Sequence, residues 1–250
     1  MNDEANKFHA LHDFRLLITP EHECSYLQDR QAATLFVDPQ NKIDTGTYSL
    51  FSELGFRRSG EHVYRPHCPL CNECKALRIQ VNNFEPSRSQ QRVLKKNAAT
   101  SLKWVDSEYK QEHFDLYKRY MSYRHEGSSM DSDDPEHYIR MMKAEWCHTK
   151  LAEIRVDNKL VGVAITDWLV DGFSAVYTYF DPDYSRYSPG TFSILQQVAE
   201  AKKTGRQFLY LGYWIKDCQK MSYKNKFAAT QVFNGHSWEA FQPEYTISDT

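Results

Sequence analysis

The chain has 250 residues, 41% hydrophobic and 14% aromatic, which is enough apolar side chain to pack the core of one large domain or two small ones. Its net charge of -2 excludes a uniformly basic polyanion binder, so any basic surface has to be a local patch. No run of about 18 apolar residues occurs, and the opening MNDEANKFHALHDF lacks the basic-then-apolar layout of a signal peptide; the expectation is a globular cytoplasmic protein without a membrane partner.

In chain order, Phe14 to Ile18 reads as a strand closed by Pro20. Asp44 ahead of TGTYSLFSEL reads as a helix cap, with Leu50, Phe51 and Leu54 on one side and Gly55 as the stop. The stretch YRPHCPLCNECKALRI, Tyr64 to Ile79, places Cys68, Cys71 and Cys74 with two residues between neighbours, and Cys24 supplies a fourth thiol upstream. Thiols at that spacing converge on one point, as zinc or an iron-sulfur cluster requires. The competing reading is a set of reduced cysteines filling a tight turn as small hydrophobes. Six cysteines without a secretory signal argue against a disulfide framework.

Ala76 to Val81 leaves the cysteines as a strand. PSRSQQRVLKKNA follows as a helix capped by Ser87 or Ser89, with Arg88, Arg92, Lys95 and Lys96 at i, i+4, i+7 and i+8 on one face. Leu102 to Val105 reads as a strand, Tyr109 to Tyr123 as a helix, and Pro135 opens a further helix through Trp146. From Leu151 the pattern changes. LAEIRV, a turn at Asp157-Asn158, LVGVAITDWLV, a turn at Asp171-Gly172 and FSAVYTYF read as an antiparallel meander. The loop DPDYSRYSPG, the helix TFSILQQVAEAKKTG and the strand QFLYLGYW complete the order.

Three strands, a loop, a helix and a strand resemble the core of GNAT-type acyltransferases. The expected fold is therefore α+β: an N-terminal α/β domain carrying the cysteine cluster, residues 1–145, and a C-terminal GNAT-like domain with a mixed sheet, residues 146–250. At the strand-to-helix junction, Ser188, Gly190 and Thr191 stand where backbone N–H groups and the helix dipole favour an anion or a developing oxyanion. A basic helix face of this kind follows a phosphate backbone or is simply solvated. Lys202, Lys203 and Arg206 close the later helix, Lys216, Lys220, Lys224 and Lys226 follow the last strand, and Tyr210, Tyr213 and Tyr223 are interleaved as stacking faces. The set that would follow the phosphate backbone is taken as Arg88, Arg92, Lys95, Lys96, Lys220 and Lys224.

Cys24-Ser-Tyr-Leu with ATLFVDP, YRPHCPLCNECKALRI, PSRSQQRVLKKN and YLGYWIKDCQKMSYKNKF resemble the bacterial aspartate/glutamate leucyltransferases, relatives of the eukaryotic arginyl-tRNA-protein transferases. The resemblance runs from Cys24 to Phe227. It implies transfer of leucine from leucyl-tRNA to proteins whose first residue is Asp or Glu, marking them for the N-end rule pathway, with no cofactor required for transfer.

Such an aminolysis needs an aligned amine and ester, a stabilised oxyanion and a route for one proton. On the GNAT-like order Tyr179, Asp181 and Tyr213 flank the reacting carbonyl, with Tyr213 as proton relay and His125 as another candidate base. An acidic acceptor side chain calls for an arginine fork, and Arg78, Arg124 and Arg186 are the candidates. Two other readings share parts of this pattern: an acyl-CoA-dependent N-acetyltransferase, and a non-enzymatic metal-dependent RNA-binding module.

Overall fold

The computed structural model describes residues 13–124, 133–216, 218 and 221–242. It begins with a small antiparallel sheet of four strands: β1 (Leu16–Ile18), β4 (Thr34–Val37), β5 (Arg57–Ser59) and β6 (His62–Pro66), ordered β1-β4-β6-β5. Two further short strands, β2 (His22–Glu23) and β3 (Gln31–Ala32), pair with each other beside it. Helix α1 (Thr45–Glu53) starts where Asp44 accepts the Thr47 N–H at 2.7 Å. It ends just before Gly55, whose φ of +77° lets the chain turn into β5.

The large sheet has eight strands. To β7 (Lys75–Gln80), β8 (Ser101–Asp106), β9 (Thr149–Val156), β10 (Lys159–Trp168), β11 (Gly172–Phe180) and β12 (Phe208–Trp214) it adds β13 (Thr230–Phe233) and β14 (Trp238–Ala240), in the order β14-β13-β7-β12-β11-β10-β9-β8. The meander closes through Asp157 and Asn158, both at positive φ, as a two-residue hairpin turn demands. Among the described residues only β11 and β12 run parallel; every other neighbouring pair is antiparallel, so the sheet is mixed, as expected. It runs across the expected division near residue 145, because β7 and β8 belong to it. Gly172 opens β11 rather than completing a turn, and a β-carbon on it would lie 2.6 Å from the Phe208 carbonyl oxygen.

Four helices cover the sheet. On one face lie α2 (Arg88–Lys96) and α5 (Pro189–Lys203), burying Phe173, Ile194, Leu195, Val198, Leu209 and Leu211. Helix α2 has the capping box written in its sequence, Ser87 and Gln90 each accepting the other's backbone N–H. On the other face lie α3 (Gln111–Arg124) and α4 (Pro135–Met142), packed through Tyr117, Tyr120, Met121 and Tyr138. The small sheet and α1 share that face, joined to the large sheet through Tyr48, Phe51, Phe56 and Tyr210. Each large apolar side chain so buried contributes about 1.5–3 kcal/mol. Helix α4 stops four residues before Trp146, whose ring packs on Tyr48 and whose carbonyl accepts the Thr45 hydroxyl; that docking pulls the chain out of the helix. Helix α5 begins at Pro189, earlier than expected, since proline lacks an N–H and fits the first helical position. No helix among the described residues is long and apolar enough to cross a membrane.

Candidate functional site at a strand splay

The parallel strands β11 and β12 pair over three positions only, Gly172 with Phe208, Phe173 with Leu209 and Ser174 with Tyr210. Beyond them β11 continues to Phe180 and β12 to Trp214 without ladder pairs between the two, so peptide groups on both edges are left for other partners. At the fork sits Arg57 from β5, only 7% exposed. Its Nη2 donates to the Ala175 carbonyl at 2.6 Å and its Nη1 to the Tyr210 carbonyl at 3.3 Å, one bond to each diverging strand. Gly212 makes room for it, in left-handed backbone beside a register shift of β12 against β7. Among the described residues no carboxylate pairs with Arg57.

The next residue does the opposite. Arg58 turns to Asp167, with both side chains fully buried and hydrogen bonds of 2.7 and 2.8 Å, and it also donates to Thr149 and the Met142 carbonyl. Its charge is fully answered, which makes it a structural residue.

Lys224 closes the mouth of the splay from a 3₁₀ turn, Ser222–Lys226, and its Nζ donates to the Tyr213 carbonyl at 2.8 Å. Burial pushes its ammonium down to about 7; Arg57 adds to that push and Cys218 opposes it. Sequence reasoning placed Lys224 among the tRNA contacts; the structure puts it beside Arg57. Lys220 and His125 lie outside the described residues.

The three proposed catalytic residues do not meet at one point. Tyr213 lies by the mouth, but its hydroxyl donates to the Gly55 carbonyl at 2.8 Å and the Tyr64 carbonyl at 3.2 Å, tying β12 to the small sheet. Burial, then Tyr64, holds that hydroxyl well above the ordinary tyrosine range. Tyr179 is fully buried under α3 and α4, hydrogen-bonded to the Tyr138 hydroxyl at 2.7 Å. Asp181 is 1% exposed, paired with Arg119 and Lys159, and caps the turn that follows. Its burial would raise the carboxyl, yet the Lys159 bond, the Asp183 N–H and Arg119 together lower it.

The three proposed acceptor arginines part company as well. Arg78 is closed between the rings of Phe208 and Trp238, at 3.7 and 4.4 Å, with its Nε on Gln231. Arg186 is exposed beside Tyr187 on the α5 approach. Arg124 is exposed at the end of α3, where it tempers the burial-driven rise of the Tyr177 and Tyr120 hydroxyls.

The α5 approach has Ser188 in left-handed backbone, exposed and making no side-chain cap, while a β-carbon on Gly190 would meet open space. With Thr191 they form the first turn of α5, whose N–H groups have no acceptor within the helix. Arg88, Arg92 and Lys95 are exposed on α2. Lys96 bridges from α2 to this approach, donating to the Arg186 carbonyl at 2.6 Å over the Tyr187 ring. At the other end of α2, Gln90 donates to the Lys226 carbonyl at 3.1 Å, next to the turn that carries Lys224. The basic face thus spans the splay from lip to lip.

Cys24, Cys68, Cys71 and Cys74 are free and half-buried. Burial first, then Cys68, Cys24 and Cys71, pushes the Cys74 thiol up to about 12, so the four share one neighbourhood. Four thiols are a suitable donor set for zinc or an iron-sulfur cluster. However, no three metal-ligating side chains among the described residues are arranged to hold an ion, and Cys68 points its thiol at the Ala33 carbonyl. The described residues as placed do not form a coordination sphere.

The residue at the fork that sequence reasoning passed over is Arg57. Its signal was the twin arginine in GFRRSG, two charges in a short strand between apolar Phe56 and Val63, where alternation sends one to each side.

Comparison with known proteins agrees with this architecture. The model described as arginine-tRNA-protein transferase, N terminus, matches residues 22–92, and that described as arginine-tRNA-protein transferase, C terminus, matches residues 112–234. The aspartate/glutamate leucyltransferase of Saccharophagus degradans is 42% identical over 92% of this chain and 98% of its own length. Its counterpart from Marinobacter nauticus is 44% identical over 88% of this chain and 93% of its own. Among solved structures, FemX superposes with a TM-score of 0.53 at 10% identity, covering 94% of this chain and 90% of that one, a likeness of fold. The chain belongs to the arginine-tRNA-protein transferase family, alongside the bacterial proteins named aspartate/glutamate leucyltransferase.

Proposed function

We propose that this protein moves leucine from leucyl-tRNA to the α-amine of proteins that begin with Asp or Glu, as the names of its relatives describe. The observation that carries the reading is the splay itself: an open fork between two strands, with a buried cation at its base and a basic helix across its lips.

The chemistry asks little of any one side chain. The acceptor α-amine has a pKa of about 7.7 to 8.0 and is partly unprotonated at neutral pH, and the leucyl ester is already activated. The amine nitrogen attacks the ester carbonyl carbon, the bond to the ribose oxygen breaks, and the proton lost from nitrogen ends on that oxygen. Unladdered peptide groups of β11 and β12 align the aminoacyl arm and donate to the developing oxyanion. Arg88, Arg92 and Lys95 hold phosphates of the tRNA outside. Pro182 and Pro189 punctuate the approach that a glycine-spaced pyrophosphate loop would need, which weighs against the acyl-CoA reading.

The test is transfer of radiolabelled amino acid from separately charged leucyl- and arginyl-tRNA to peptides beginning with Asp, Glu, Lys or Ala. Labelling of the Asp and Glu peptides from leucyl-tRNA alone is the expected result. No transfer from either tRNA would overturn the reading, and label from arginyl-tRNA would reassign the donor.

A further inference from the structure

We infer that Arg57 and Lys224 together form the receptor for the side-chain carboxylate of the acceptor's first residue; this rests on the acidic acceptor proposed above. Both cations hang from one strand. Arg57 bonds the Tyr210 carbonyl and Lys224 the Tyr213 carbonyl, three residues further along β12, and Gly212 between them presents no side chain.

Carbonyl dipoles orient these charges without neutralising them. Among the described residues neither cation has a carboxylate within ion-pair distance, whereas Arg58, Lys110, Arg119, Arg155 and Lys159 each have one. A cation held in the protein without a counter-charge is costly, and here Arg57 is buried and Lys224 half-buried near it. The groups that act on Lys224 are Arg57, which pushes its pKa down, and Cys218, which pushes it up, with the Tyr213 carbonyl as its bonded partner. A carboxylate seated between the two cations relieves their repulsion. The amide of Asn or Gln cannot. Arg57 is fixed by two bonds, while Lys224 brings a flexible four-carbon stem that can follow the one-methylene difference between Asp and Glu. Of the arginines singled out in the sequence, Arg78 is occupied by its rings, while Arg186 and Arg124 are exposed, on the approach to α5 and at the end of α3.

The experiment uses the full-length enzyme, its Lys224→Gln variant, and peptides beginning with Asp, Glu or Asn. The variant is expected to raise the acceptor KM for Asp and Glu peptides by about tenfold or more, the loss of one charge-assisted hydrogen bond. It should leave kcat and the KM for leucyl-tRNA within about threefold, and narrow the preference over Asn. An independent readout follows the Lys224 ammonium by NMR in isotope-labelled protein, assigned with the same variant. An Asp peptide should raise its titration midpoint by about one unit or more and an Asn peptide should not.

A fall in kcat at unchanged acceptor KM would make Lys224 a proton carrier and overturn the proposal. So would a rise confined to the KM for leucyl-tRNA, or an NMR midpoint indifferent to the Asp peptide. Failure of the wild-type enzyme to label any acidic peptide would sink the functional reading instead, and the NMR titration would still report whether the carboxylate binds.

Discussion

The guanidinium of Arg57 passes 3.4 Å from the point where a β-carbon on residue 212 would stand, so the two meet at van der Waals distance on the left-handed turn of β12.

Gly212→Ala puts a β-carbon on a left-handed backbone, which disfavours it, while Arg57 stays at ordinary contact distance. Urea unfolding should show a loss of about 1–2 kcal/mol, and an unchanged stability would contradict the backbone assignment. Gly190→Ala, which meets open space, is the control and should leave stability within about 0.5 kcal/mol.

Arg58→Met leaves Asp167 as a buried carboxylate that has lost its cation and keeps the Thr149 hydroxyl as a donor. The expected cost is about 3–5 kcal/mol in the same assay, and adding Asp167→Asn should recover part of it. Full additivity of the two losses would contradict a directly coupled pair.

Acid should weaken the junction of β9 and α3. Glu153 bonds Lys110, His113 and Arg155; against its burial, these partners lower its carboxyl to about 2 from an ordinary 4.5. Its folded pKa lies below its unfolded one, so this stability is complete above about 4.5 and is lost as pH falls toward 2. His113 is lowered from 6.5, by burial against the pull of Glu153, so the folded state resists its protonation and stability already declines below 6.5. His113→Gln should flatten the stability profile between pH 7 and 5 and leave the fall below 4.5; an unchanged slope from pH 7 to 5 would contradict the assignment.

Arg92→Ala and Lys95→Ala should each weaken leucyl-tRNA about equally for any tRNA sequence. Each should also reduce the slope of log affinity against log salt by about 0.7–0.9, one phosphate contact apiece. Binding measured between 50 and 200 mM salt checks this, and an unaltered slope would remove α2 from the tRNA path.

Local features were legible in the sequence. The Asp44 cap, a serine cap on α2 and the Asp157-Asn158 hairpin each depend on a few neighbouring residues and formed as read, with Ser87 rather than Ser89 as the capping serine. The mixed sheet followed from element order. Long-range relations were not legible: Arg57 meets Tyr210 across 153 residues. Alternation also failed at one bulge. The register of β10 with β11 shifts between Ile165 and Thr166, so Val176 is skipped. Tyr177 and Tyr179 are thereby thrown to the face opposite Phe173, into the α3 and α4 core. Tyr179 reads as a strand-end residue by the reacting carbonyl, and one inserted residue takes it away.

Helix α2 is tied at Gln90 to the turn carrying Lys224 and at Lys96 to the approach of α5. Six residues of helical rise, about 9 Å, separate those fastenings. The helix is thus a spacer bar that fixes the gape of the fork, and loading its outer surface with phosphates strains or braces both jaws at once. An enzyme with two large substrates gains from such a part: the docked polynucleotide and the incoming amine are gauged against the same ruler.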